Sequence, residues 1–185
     1  MIRAMPLHLV DHSLIQDALM ELRDIPSTPE KVTTPLGPAE GRVVRGDVVV
    51  APVLRASLAM LDAVLELLPA ARVGHIGLQR DDATAIASTY YSKLPSDLDN
   101  SYVLMIDPLL ATGGSAVAAI DLMKAAGARA IRMICIVAAP EGVAPVERHH
   151  PDVSVYTPVV DRRLDARKYI VPGLGDFGDR LYGTV

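Results

Sequence analysis

The chain has 185 residues, half of them hydrophobic, with no tryptophan, a single phenylalanine and a formal net charge of −4. That length and apolar fraction suit one domain with a sizeable core and exclude a disordered chain. The acidic balance gives no electrostatic ground for general nucleic-acid binding, although a small phosphorylated ligand needs only a local cluster of cations.

With so few aromatics, the core must come from Ala, Val, Leu, Ile and Met, which favours helices packed on a parallel sheet over an aromatic-rich sandwich. Residues 12–23 predict an amphipathic helix, with Leu14, Ile15, Ala18, Leu19 and Leu22 at helical spacing. His12 has no neighbour that supports a base or metal role. Pro26, Pro29, Pro35 and Pro38 predict irregular chain over 24–38. Residues 42–44 read as a hairpin-like strand leading into the buried strand 47–52, whose Val48-Val49-Val50-Ala51 is the clearest apolar run of this half. A helix is expected over 59–68, then a third strand over 73–78 ending in Gln79-Arg80-Asp81. Residues 82–96 alternate weakly and read as an excursion that projects from the sheet and returns.

Tyr102 to Ile106 is a short apolar run of the buried-strand kind, stopped by Asp107-Pro108 because proline cannot donate to a ladder. Ala116, Ala119, Ile120, Met123 and Ala126 then recur at helical spacing, with Gly127 at the expected stop. Residues 130–138 predict another buried strand. It carries Cys135, the lone cysteine, which excludes an intrachain disulfide and any multi-cysteine zinc site. Glu141-Gly142 opens a loop into a short helix over 144–149. His149 and His150 read as surface histidines, because adjacent residues rarely turn to one ion. Residues 153–157 form the next strand, and 161–165 a solvated turn. No signal pattern or membrane-length apolar run is present, so a cytoplasmic location is expected.

Three places carry chemistry. Between the strand at 102–106 and its helix lies Ala111-Thr112-Gly113-Gly114-Ser115, small and rich in hydroxyls. Such a loop lets backbone amides converge on an anion at a helix N-terminus, where the dipole also favours negative charge. The bland alternative is an ordinary strand-to-helix turn. Neither the Walker loop nor the dinucleotide fingerprint is present. Arg55 and Arg80 each stand at the end of a strand, where open α/β sheets bind ligands, and guanidinium offers paired donors to pyrophosphate. Surface arginines capping turns are the alternative. Last, residues 168–180 hold Pro172, Gly173, Gly175 and Gly178, which permit a folded loop with backbone groups facing a flat, hydrogen-bonding ligand such as a pyrimidine.

The run from Asp107 to Ala116 resembles the phosphoribosyl-pyrophosphate (PRPP) loop of the uracil phosphoribosyltransferases. Pro52-Val53-Leu54-Arg55-Ala56-Ser57-Leu58 is similar to their pyrophosphate loop, with Ser57 in place of a glycine. Arg80-Asp81 and Tyr90-Tyr91-Ser92-Lys93-Leu94-Pro95 also match, the latter within the family's β-arm. The run Lys168 to Arg180 resembles the uracil-binding loop, with Phe177 where many members have alanine. After Arg23-Asp24 the family carries a long helical block that this chain lacks.

The resemblance implies a type I phosphoribosyltransferase-like α/β fold, an open, mainly parallel twisted sheet flanked by helices with a projecting β-arm. One domain would span 1–185, with an N-terminal helix at 12–24, the arm at 82–96 and a uracil-binding segment at 168–185. The implied reaction is uracil plus PRPP to UMP and pyrophosphate, in pyrimidine salvage. PRPP would be held by Arg55, Arg80, Asp107, Pro108, Leu109, Leu110, Ala111, Thr112, Gly113, Gly114, Ser115 and Asp176. Catalysis would fall to Arg80, Asp107 and Asp176, and uracil contact to Ile170, Gly175, Asp176 and Phe177. Mg²⁺ would travel with PRPP rather than on protein ligands, since Pro108 occupies the place of a second acid. The family also implies a homodimer or larger assembly and, in some members, a GTP effector whose site this sequence does not reveal. Two other functions compete: a PRPP- or nucleotide-sensing regulator without catalysis, and a transferase for another nucleobase.

Overall fold

The computed structural model describes residues 8–9, 27–44, 46–80 and 87–184. The helix expected over 12–23, and residues 24–26 after it, lie outside them.

In chain order the strands are β1 (His8–Leu9), β2 (Ser27–Thr34), β3 (Gly37–Val44), β4 (Asp47–Leu54), β5 (Arg72–Val73), β6 (His75–Arg80), β7 (Ala87–Lys93) and β8 (Ser101–Ile106). They continue with β9 (Leu109–Leu110), β10 (Ala130–Ile134), β11 (Val137–Ala138), β12 (Ser154–Thr157), β13 (Val159–Val160), β14 (Arg163–Leu164) and β15 (Ile170–Val171). The helices are α1 (Leu58–Leu67), α2 (Gly114–Ala125), α3 (Pro140–His149) and α4 (Phe177–Tyr182).

The main sheet runs β1-β12-β10-β8-β4-β6-β7, with β5 also pairing β4. Its pairs are parallel except β6 with β7, which lies antiparallel along the edge. Thus the described part of the excursion, residues 87–93, is a strand laid against β6. The third strand is broken at Gly74, whose amide donates to Val50 O (2.9 Å).

Alternation decides which strand residues meet which helices. Val49, Ala51 and Val53 of β4 join Val103 and Met105 of β8 in the main core, together with Ala116, Ala119, Ile120 and Met123 of α2. The opposite face of the same strands holds Val48 and Leu104, packed with Leu68, Ala71 and Tyr102. Ile120 and Met123 are fully buried, and burial of each side chain contributes about 2–3 kcal/mol.

Four expectations need correction. Residues 27–34 are not irregular: β2 pairs antiparallel with β3 in register from Ser27↔Val44 to Thr34↔Gly37. A two-stranded ribbon leaves each strand one open edge, so prolines at 29 and 38 can sit there without removing a ladder bond. The strand expected at 42–44 is the end of β3 and pairs with 27–29. The turn at Pro35-Leu36 is closed by Thr34 Oγ1, which donates to Gly37 O (2.8 Å) and accepts from Leu36 N (3.3 Å).

Second, Glu141-Gly142 is not loop but the first turn of α3, which starts at Pro140; proline is favoured at a first helical position, where its missing amide costs nothing. Third, His149 is exposed as expected, but His150 is buried at 4% exposure, its Nε2 3.4 Å from Asp121 Oδ1. It sits at the α3 C-cap, with its amide bonded to Val146 O. Residues 161–165 are likewise partly strand, since β14 pairs antiparallel with β15.

Candidate active site

The sheet changes direction of growth between β4 and β8. From β4 the chain builds outward to β6 and β7; from β8 it builds the other way through β10 and β12. Ligands of open α/β sheets bind at the carboxyl ends of strands at such a switch point. The register pairs Pro52 with Ile106, so the chain leaves these neighbouring strands at the same edge of the sheet, and Arg55 and Asp107 both line the cleft there. The Leu54–Arg55 peptide is cis.

After Asp107-Pro108 the chain resumes as β9, which joins β11 and β13 in a small parallel sheet. Leu109 and Leu110, expected as part of the loop, are therefore strand residues. Pro108 is buried, and its carbonyl accepts from Ile136 N (3.0 Å) and Val137 N (3.1 Å). Cys135 falls in the gap between β10 and β11, buried, with its thiol pushed up to about 12 chiefly by that burial.

The loop then swings into α2. Gly113 is the N-cap with φ +79°, and no side chain caps the helix, so its first amides are left for an external acceptor. Two glycines let α3 press against this loop. A Cβ on Gly113 would meet Gly142 O at 2.5 Å, and one on Gly142 would meet both Ala111 O and Leu110 O at 2.6 Å. Ser57, standing where a glycine was expected, needs no unusual backbone: φ is −68°, and its buried hydroxyl donates to Val53 O.

A single cleft of about 1020 Å³ gathers these parts. One wall is Asp107, Leu109, Leu110 and the loop residues Ala111, Thr112, Gly113 and Ser115. Arg55 and Ala56 enter from the end of β4, and Ile170, Gly175, Asp176 and Phe177 close the far side. Of the expected residues, Pro108 lies beneath the lining, and Gly114 is the exposed first residue of α2. Arg80 ends β6, and its side chain lies outside the described residues. Leu78, Gln79 and Tyr90 on one side and Ala166 to Tyr169 on the other also line the cleft, which local pattern did not indicate.

Asp107 is only partly exposed, and its carboxyl is pushed up to about 7. Burial is the main cause and the Asp176 charge adds to it, while hydrogen bonding from Leu109 N (3.5 Å) opposes both. Asp176 is the N-cap of α4 and accepts from Asp179 N (2.8 Å). Asp179 was missed, yet its spacing carried a signal: an acid three residues after a capping acid is a helix-start pattern. Its Oδ1 accepts from Arg55 Nη2 (3.2 Å). Among the described residues, no three His, Cys, Asp or Glu side chains converge to hold a metal.

The uracil phosphoribosyltransferase family matches residues 9–184. The uracil phosphoribosyltransferase of Dictyoglomus thermophilum is 45% identical, covering 95% of this chain and 98% of that protein. Their alignment runs over 203 positions, more than the 185 residues here, so that relative has positions without a counterpart in this chain. The AQ2163 protein of Aquifex aeolicus superposes with a TM-score of 0.81 at 36% identity, over 91% of this chain and 80% of that one. An adenine phosphoribosyltransferase of Trypanosoma brucei, solved with AMP, pyrophosphate and ribose-5-phosphate, has a TM-score of 0.53 at 18% identity, over 66% of this chain and 60% of its own, and so shares the fold. With its helix-start loop, paired strand ends and glycine-rich tail around one cleft, the chain belongs to the uracil phosphoribosyltransferase family.

Proposed function

We propose that this chain transfers the ribose 5-phosphate group of PRPP to N1 of uracil, releasing pyrophosphate and forming UMP. The C1′–O bond to pyrophosphate breaks with its electron pair leaving on pyrophosphate, the C1′–N1 bond forms, and the N1 proton passes to water. One observation carries the reading: the loop at the start of α2 and the glycine-rich tail line the same cleft.

In this scheme the 5′-phosphate takes the free amides at the start of α2 and the Thr112 and Ser115 hydroxyls. Asp107, ionised, accepts from the ribose hydroxyls and stabilises the positive charge that develops on the ring. Arg55 and Arg80 neutralise the departing pyrophosphate. Backbone groups around Ile170, Gly175 and Phe177 read the pyrimidine, and Asp176 sits between base and ribose. Mg²⁺ would arrive with PRPP and supply positive charge to the leaving pyrophosphate, since among the described residues no carboxylate cluster stands ready to hold it. Positioning and electrostatics then supply most of the rate. A cytoplasmic setting, a homodimer or larger assembly and any GTP response belong to the same proposal and rest on the family alone.

The test is incorporation of labelled base with PRPP, offering uracil, cytosine, hypoxanthine and adenine in parallel. UMP formation from uracil alone is expected. Turnover of another base instead would reassign the substrate, and turnover of none would remove the activity.

A further inference from the structure

The contact between Arg55 and α4 joins the two halves of the cleft. Arg55 Nη2 donates to Asp179 Oδ1 (3.2 Å) and to Thr184 Oγ1 (3.3 Å), while Thr184 Oγ1 donates to the same carboxylate oxygen (2.6 Å). The Tyr182 hydroxyl donates to Arg55 O (3.2 Å), and the Arg55 guanidinium lies 5.8 Å from the centre of the Tyr182 ring. Nearby, a Cβ on Gly178 would come within 3.9 Å of Ala56 Cβ, so α4 rests directly on the turn that carries Arg55.

The Arg55 and Asp179 side chains are 52% and 34% exposed. An ion pair that open to water adds little to folding stability, so its consequence is orientation. Only Nη2 of Arg55 is engaged among the described residues, leaving Nε and Nη1 to meet an anion in the cleft. Asp176, Phe177 and Asp179 stand on the one short helix. The segment that faces the base is therefore the segment that holds the arginine.

We propose that Asp179, supported by Thr184, is a positioning residue that holds the Arg55 guanidinium ready for the pyrophosphate of PRPP. This rests on the function proposed above. Asp179 stands at the cleft lining, but its Oδ1 is committed to Arg55 and Thr184, so in this proposal it acts through Arg55. Its backbone bonds to Asp176, Gly183 and Thr184 do not depend on the side chain, so its substitution leaves the α4 cap in place.

The experiment is steady-state kinetics, with pyrophosphate product inhibition, on the full chain carrying Asp179→Ala, Asp179→Asn, Thr184→Val, Arg55→Ala and the Arg55→Ala/Asp179→Ala pair. Asp179→Ala should raise KM for PRPP and the pyrophosphate inhibition constant about tenfold, with KM for uracil unchanged. Asp179→Asn keeps an acceptor and should shift both less than about threefold, with Thr184→Val between the two. In the Arg55→Ala background, Asp179→Ala should have no further effect. The inference is overturned if that last effect is additive, if both substrate constants rise together, or if PRPP and pyrophosphate constants stay put. Should Asp179→Ala fail to fold, Asp179→Asn and Thr184→Val decide by the same signs. A wild-type protein that makes no UMP overturns the activity itself, a distinct outcome.

Discussion

Asp107→Asn probes the most perturbed group of the cleft. The carboxyl is raised from an ordinary 3.8 to about 7, mostly by burial. Below about pH 4 it is protonated both folded and unfolded, so it exerts no pH-dependent effect. Between 4 and 7 the unfolded chain ionises while the folded one resists, and the native state loses stability as pH rises. Above 7 both are ionised and the loss is constant. A shift of about three units at 1.36 kcal/mol each caps the effect at about 4 kcal/mol, and partial exposure brings the expected value nearer ~2 kcal/mol.

Urea unfolding of both proteins at steps from about pH 4.5 to 8.5 measures this. The stability of Asp107→Asn relative to wild type should climb with pH up to about 7 and then level off. In parallel, wild-type kcat/KM for PRPP should rise through the same interval as the carboxylate forms, and the variant should show a low profile without that rise. A stability difference independent of pH would refute the reasoning, since it would mean that Asp107 ionises as freely in the cleft as in water.

Gly113→Ala places a Cβ 2.5 Å from Gly142 O at a φ of +79°; we expect a loss of about 2–4 kcal/mol in chemical denaturation together with loss of PRPP binding. Arg80→Ala should raise the apparent PRPP constant sharply and leave the far-UV circular dichroism unchanged; an unaltered constant would remove Arg80 from the site. Phe177, which is half-buried and lines the cleft, supplies apolar contact to the base in the proposed scheme. Phe177→Ala should therefore raise KM for uracil about fivefold, roughly 1 kcal/mol of lost contact, with KM for PRPP unmoved in steady-state assays.

Sequence alone determined the features that are short in range. Apolar runs marked β4 and β8, helical spacing marked α2, and Ala111 to Ser115 marked a small, hydroxyl-rich loop before a helix, because each depends on residues within one or two turns of chain. Prolines misled at 27–34, where they report on single residues while the ribbon depends on an open edge. What tertiary structure decided was neighbourhood. Period and composition say which face of a strand is buried but not which strand lies beside it. The pairing of Pro52 with Ile106 brings the strand ends that carry Arg55 and Asp107 to one cleft, and the fold carries Asp179 back across 124 residues to Arg55. Contacts so distant along the chain are set by packing and sheet order, to which local pattern is blind.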